Sequence, residues 1–352
     1  MAGLRLFLIG FAALVGVSIA AHAQEVTLKL HYALPIEATV STNALVPWAE
    51  KIATDSGGRL KIELQPSMQL GGEPAELWDQ LLGGAVDMVW TVADGQRFAP
   101  VGVFELPFMG TAAEPTSKAV EEFCRRHCEQ AFAGAHIIAW HAEGRGLLHS
   151  KNAITRLEDI NGLKTGGAPA TLEKLLAVLG ARIVPTPVPA VPESLSRGLV
   201  DATAMDWSTA LLLRIPVAVK NHTGFAGEHG LSTRVHVLVI NSAVYDRLPD
   251  DLKRVLDASS GMATATLFGQ AMDAGDEAGR AAAKKLENSI NILDETETQR
   301  WKDAAAPLID AWVADASTHE LDGQALLADA RALVEKYSVP PPPPPPPPPA
   351  EE

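Results

Sequence analysis

A chain of 352 residues, 47% hydrophobic and 20% charged, has the balance of a folded globular protein of about two domains and excludes a largely disordered one. Acidic residues outnumber basic ones 43 to 29, a net charge of -14 that argues against a nucleic-acid partner, whose phosphates would be repelled. It leaves room for an anionic small molecule held by one local arginine.

Residues 1–23 carry one base, Arg5, an apolar run over 6–21 and an Ala-His-Ala ending. That is the pattern of a secretory signal peptide, so export to the periplasm is expected. "VTLKLHYAL" then alternates as a strand does, "TNALVPWAEKIATDSGG" reads as a helix stopped by Gly57 and Gly58, and "RLKIELQPS" alternates again. "PAELWDQLLGGA" is a further helix and "VDMVWTV" a short apolar strand. Strand, helix, strand, helix, strand is the first half of a doubly wound domain.

Cys124 and Cys128, the only cysteines, sit four residues apart in "EFCRRHCEQ" and share one face of a helix. A disulfide there needs strained geometry, and with His127 the pair lacks a fourth ligand and the spacing of a zinc site, so no metal is expected.

Alternation restarts with "HIIAWHAEG", "ATLEKLLAVLG", "ARIVPTPV", "VPESLSRGLV" and "DATAMDW". Two α/β lobes of this kind predict a ligand cleft between them, at the carboxyl ends of the strands. After "VHVLVIN" the chain turns helical, and 250–288 contains no proline, which predicts one long helix across both lobes. Ten prolines at 340–349 form an extended helix of roughly 30 Å, a stiff solvated tail.

The chain contains no GxSxG, HExxH, CxxC or Walker sequence, and its histidines are scattered. "GLKTGGAPA" at 162–170 lacks GxGxxG and the phosphate-loop lysine, so its glycines mark a turn into a helix. Catalysis and cofactors are therefore not expected. An exported α/β enzyme using a histidine or Asp206 in the cleft is the alternative, and a binding component of another importer or of a sensor is a second.

Five segments in order resemble the TRAP-transporter periplasmic solute-binding proteins of the DctP type: "GGRLKIELQPSMQLGGEPAELWDQLLGGAVDM", "FAPVGVFELPF", "LEDINGLK", "LGARIVPTPVPAVPESLSRGLVDATAMDW" and "VLVINSAVYDRLPDDLKRVL". The resemblance implies an α/β, two-lobed periplasmic binding protein fold with a long helix joining the lobes. It also implies capture of a small organic acid, without catalysis, for delivery to membrane permease subunits. The lobes are placed at 24–142 plus about 236–265, and at 143–235 plus about 266–337, with a tail at 338–352.

Carried over by position, Arg145 in "EGRGLLHSK" matches the family's arginine at the start of the second lobe. Trp90 and Thr91 end the third strand, and Met205 and Trp207 follow the segment 198–201, where relatives touch ligand. The chain departs at 162–170: relatives follow Gly-Leu-Lys with an apolar residue and a ligand-binding arginine, whereas Lys164 precedes Thr165, Gly166 and Gly167. Either Arg145 holds the carboxylate with Thr165 and the amides around Gly166, or the carboxylate binds elsewhere, Lys164 included, or the ligand is not an acid.

Overall fold

The computed structural model describes residues 25–95, 98–128 and 132–339; the leader at 1–23 and the decaproline lie outside them. Seven elements open the chain: β1 (Val26–Tyr32), α1 (Val46–Asp55), β2 (Leu60–Gln65), α2 (Leu77–Leu82), β3 (Met88–Val92), α3 (Ala113–His127) and β4 (Ala135–Ala142). There follow β5 (Leu147–Ser150), β6 (Lys164–Thr165), α4 (Ala170–Val178), β7 (Arg182–Ile183), α5 (Val191–Ser196), β8 (Ala202–Met205), α6 (Trp207–Leu212), α7 (Ile215–Ala218) and β9 (Asn221–Phe225). The last are β10 (Val235–Asn241), α8 (Ser242–Arg247), α9 (Asp250–Ala258), α10 (Met262–Lys285), β11 (Ser289–Leu293), α11 (Glu295–Thr318) and α12 (Gly323–Ser338).

Two sheets form, ordered β2-β1-β3-β10-β4 and β11-β9-β5-β8-β6-β7. In each, the antiparallel strand is the one the chain enters on crossing over: β10 runs against β3 and β4, and β5 against β8 and β9. β10 shows why this strand reads as a continuous apolar run, since all seven residues are buried. Val235, Val237 and Val239 join the core with Phe104 and Phe123, while Leu238 and Ile240 face Leu30 and Trp48. Period two with both faces covered leaves no polar side.

The expected single helix over 250–288 is two. α9 stops at Ala258 and α10 starts at Met262, because Gly261 takes a positive φ of 68° that turns the chain. α10 still joins the lobes: Phe268 and Met272 sit in the first-lobe core, and Ala283 packs with Trp207 and Leu147 of the second. α11 is a second bridge, with Trp301 and Ala305 in the second-lobe core and Ile309, Trp312 and Val313 against the first. α12 then places Leu326, Ala330 and Leu333 in the first-lobe core. That corrects the expectation of 266–337 as a second-lobe segment: the terminal helix returns to the first lobe, where its apolar face completes the core over α3.

Cys124 and Cys128 are buried free thiols in contact one helical turn apart, and burial, with Cys128 beside it, pushes the Cys124 thiol well up. His127 instead pairs with Asp329 of α12 at 2.8 Å. Among the described residues no group of three or more His, Cys, Asp or Glu is arranged to hold a metal ion, and no helix is long and apolar enough to cross a membrane.

Candidate functional site: a cleft across two linkers

Two segments carry the chain between the sheets near the cleft, 143–146 from β4 to β5 and 226–234 from β9 to β10. They run antiparallel and bond to each other: Glu143 N–H to the Arg234 carbonyl (2.9 Å), Gly146 N–H to Ser232 (2.7 Å) and Leu231 N–H to Gly146 (2.9 Å). The Thr233 hydroxyl adds a bond to the Glu143 carbonyl at 2.7 Å. Above this ribbon lies a cavity of about 210 Å³ with walls from both lobes. Drug-sized ligands occupy larger pockets, so the cavity suits a small one.

The aromatic part of the first-lobe wall is Trp90, the central residue of β3. Its indole lies nearly parallel to His236 (ring centroids 4.9 Å apart) and to His141 (5.7 Å), and its Nε1–H donates to His141 Nε2 at 2.7 Å. That bond requires an unprotonated Nε2, and burial holds the His141 imidazole far below its ordinary range. His236 Nε2 in turn meets Glu143 Oε1 at 2.9 Å, fixing the second linker to the first.

The second-lobe wall is built from Gly167, Pro169, Pro189, Met205 and Asp206. Gly167 has φ +77°, and a Cβ there would stand 2.3 Å from Val191 Cγ2. Gly167→Ala is therefore expected to lower stability by about 1–3 kcal/mol and to distort the wall. Gly162→Ala, at the same φ but with open space around it, should cost only about 1 kcal/mol. Denaturant midpoints of the two variants, compared side by side, check the difference.

Of the residues singled out in the sequence, Trp90 and Met205 line the cavity. Thr91, the next residue of β3, alternates away from it. Thr165 is buried behind the wall, its hydroxyl without a hydrogen-bond partner among the described residues, and Gly166 is wedged against Val184 and Thr186. Arg145 and Trp207 do not line the cleft. They share a separate hollow of about 450 Å³ with Arg280 and Lys284, where Arg145 Nη1 lies 3.5 Å from Glu228 Oε2. Along the linker Gly144 lines the cleft, Arg145 the separate hollow, and Gly146 both.

Arg234, which the residue-by-residue reading passed over, is the arginine in the cleft. It is half-buried and makes no side-chain hydrogen bond or ion pair to any described residue, although its charge favours the ionised forms of Glu105, Glu143 and Glu173. The signal was in "TRVHVLVIN": with period two, Arg234 and His236 continue the face of Leu238 and Ile240 beyond the core, to where the strand emerges.

Two α/β lobes joined by a hydrogen-bonded double linker, with a partly open cavity and a cation between them, define a two-lobed ligand-binding protein. The sequence pattern of the bacterial extracellular solute-binding proteins of family 7, DctP, matches residues 33–315, and the chain belongs to that family. A TRAP solute-binding protein from Rhodoferax ferrireducens, solved with copurified benzoate, is 39% identical, with TM-score 0.84 over 89% of this chain and 98% of its own. One from a marine metagenome, described as specific for aromatic acid ligands and solved with 3-hydroxybenzoate, is 35% identical, with TM-score 0.86 over 90% and 100%. The C4-dicarboxylate-binding periplasmic protein DctP of Rhodobacter capsulatus is 23% identical over 86% of this chain and 91% of its own. The chain is a TRAP-type extracytoplasmic solute-binding protein.

Proposed function

We propose that this protein captures a small aromatic monocarboxylate in the cleft between its lobes, with Arg234 on the acid, and passes it to the membrane permease subunits of a TRAP transporter. The observation that carries the reading is the unpaired Arg234 guanidinium at the edge of a mainly apolar cavity walled by Trp90 and Met205. A guanidinium fork matches a carboxylate bidentately, and flat apolar walls suit a ring. Among the described residues that line the cavity Arg234 is the one lysine or arginine, beside the acids Glu143 and Asp206. A second carboxylate would meet those acids, so a dicarboxylate is disfavoured. The benzoate and 3-hydroxybenzoate held by the two relatives above support the same class.

Residues 1–23 would direct the chain to the periplasm, and the ligand would be released unchanged, as befits a member of a solute-binding family. Benzoate and 3-hydroxybenzoate are expected to raise the melting temperature of the mature protein, by about 2.7 kcal/mol of stabilisation at a hundredfold excess over Kd. Benzamide and succinate should give little shift. Succinate binding more tightly than benzoate in calorimetry would overturn the assignment.

A further inference from the structure

Three carboxyl groups from three elements meet beside the cleft. Asp206 caps α6, its Oδ1 accepting Thr209 N–H at 2.9 Å, and it lines the cavity. Asp276 of α10 accepts Ser208 N–H at 2.8 Å. Glu143 of the first linker faces His236. Asp206 Oδ2 is buried without a hydrogen-bond partner among the described residues; around the carboxyl lie the Thr209 hydroxyl and the carboxyls of Asp276 and Glu143. A buried carboxylate oxygen turned to other carboxylates is satisfied only if one of them carries a proton.

We infer that Asp206 and Asp276 share one proton in the empty cleft, and that capture of an anion beside Arg234 is coupled to keeping that proton bound. The second half rests on the carboxylate reading above. Burial first, and then the neighbouring acid, pushes both carboxyls above their ordinary range, while His236 and Arg234 take up the charge of Glu143 and hold it down. The remaining charged groups around the pair are Asp273 one turn back on α10, which accepts Ala113 and Glu114 N–H, and Arg145, Arg280 and Lys284 in the adjoining hollow. Glu105 faces Arg234 and is itself pushed up to about 7 by burial.

The sign follows from charge. An anion in the cavity adds a negative charge next to Asp206, raises the pair's hold on its proton, and by reciprocity binds less well once the pair ionises. Affinity is expected to be flat below the pair's midpoint and to fall by up to about tenfold per pH unit above it. Asp206→Asn keeps an oxygen for Thr209 N–H and offers a permanent N–H to Asp276. Its benzoate affinity, relative to its own value at low pH, should show no pH dependence from this pair.

Two measurements on the mature protein decide the matter. Carboxyl ¹³C NMR without ligand, assigned with Asp206→Asn and Asp276→Asn, should show an aspartate titrating near or above pH 6; two independent titrations near the ordinary value of about 4 would overturn the shared proton. Calorimetry with benzoate at pH 7.5, in buffers of different ionisation enthalpy, should show uptake of a fraction of a proton that disappears in Asp206→Asn and persists in Glu105→Gln. Binding without proton uptake in the wild type would overturn the coupling. No benzoate binding at any pH would instead overturn the aromatic-acid reading and the coupling with it, while the NMR result still decides the shared proton.

Discussion

Arg234→Met is expected to weaken benzoate binding by about thirtyfold or more, because truncating one partner of a buried charge pair costs about 2–5 kcal/mol and 1.4 kcal/mol is tenfold. Arg234→Lys should fall between, since an ammonium keeps the charge and loses the two-pronged geometry. Arg145→Met, across the linker from the cavity, should leave Kd within about threefold, as only an indirect electrostatic contribution remains. Calorimetry on the three variants, each with its melting curve as a folding control, separates the two arginines. A severe loss at Arg145 with Arg234 silent would restore the position inferred from the family pattern and remove Arg234 as the anchor.

Trp90→Ala is expected to cost about 3–5 kcal/mol of stability, the range for emptying a large aromatic from a core. The indole is 3% exposed and packs against Tyr32, His141, His236 and Phe268 at once. In a protein of this size such a loss lowers the melting temperature by on the order of 10 °C. Benzoate binding should disappear with it, since Trp90 is also the cavity wall. Trp90→Phe keeps a ring but removes the Nε1–H donor to His141, whose other nitrogen already lacks a partner among the described residues. It should cost about 1–3 kcal/mol, that of an orphaned buried polar group. A melting curve of Trp90→Phe indistinguishable from wild type would show that this hydrogen bond contributes little.

Much of the architecture was legible because it is written in local pattern. The alternation of "VTLKLHYAL" and "RLKIELQPS" appears as the paired strands β1 and β2, and the apolar run of β10 as a central strand. β9 escaped notice because "NHTGF" is polar: His222 faces His149 across the sheet, and the Thr223 hydroxyl bonds the Ile154 carbonyl, partners that exist only after folding. The helix break was present as Ser-Ser-Gly before Met262, a stop signal outweighed by the absence of proline. The docking of α12 on the first lobe could not be read, because an amphipathic helix does not state which core it covers.

The cleft was half legible. Met205 ends β8 and Trp90 lies two residues before the end of β3, in the region where an α/β fold gathers its ligand contacts. The bare wall at 165–167 directed attention to a missing arginine but not to its replacement. The family pattern fixed which positions to inspect, whereas Arg234 reaches the cavity from the opposite linker, by the pleat of a strand that belongs to the other lobe.

The hydrogen bonds between the two linkers have a mechanical consequence. Two separate tethers would let the lobes twist and slide as well as hinge, and each freedom would be lost anew whenever a ligand was enclosed. Laced into one narrow band, they resist twist and sliding near the cleft, alongside α10 and α11, which also cross between the lobes. Arg234 and Glu143 belong to that band, so any hinging across it is expected to move the walls of the cleft more than its charged floor. On the proposed reading, an incoming anion would then meet its cation before the walls close around it.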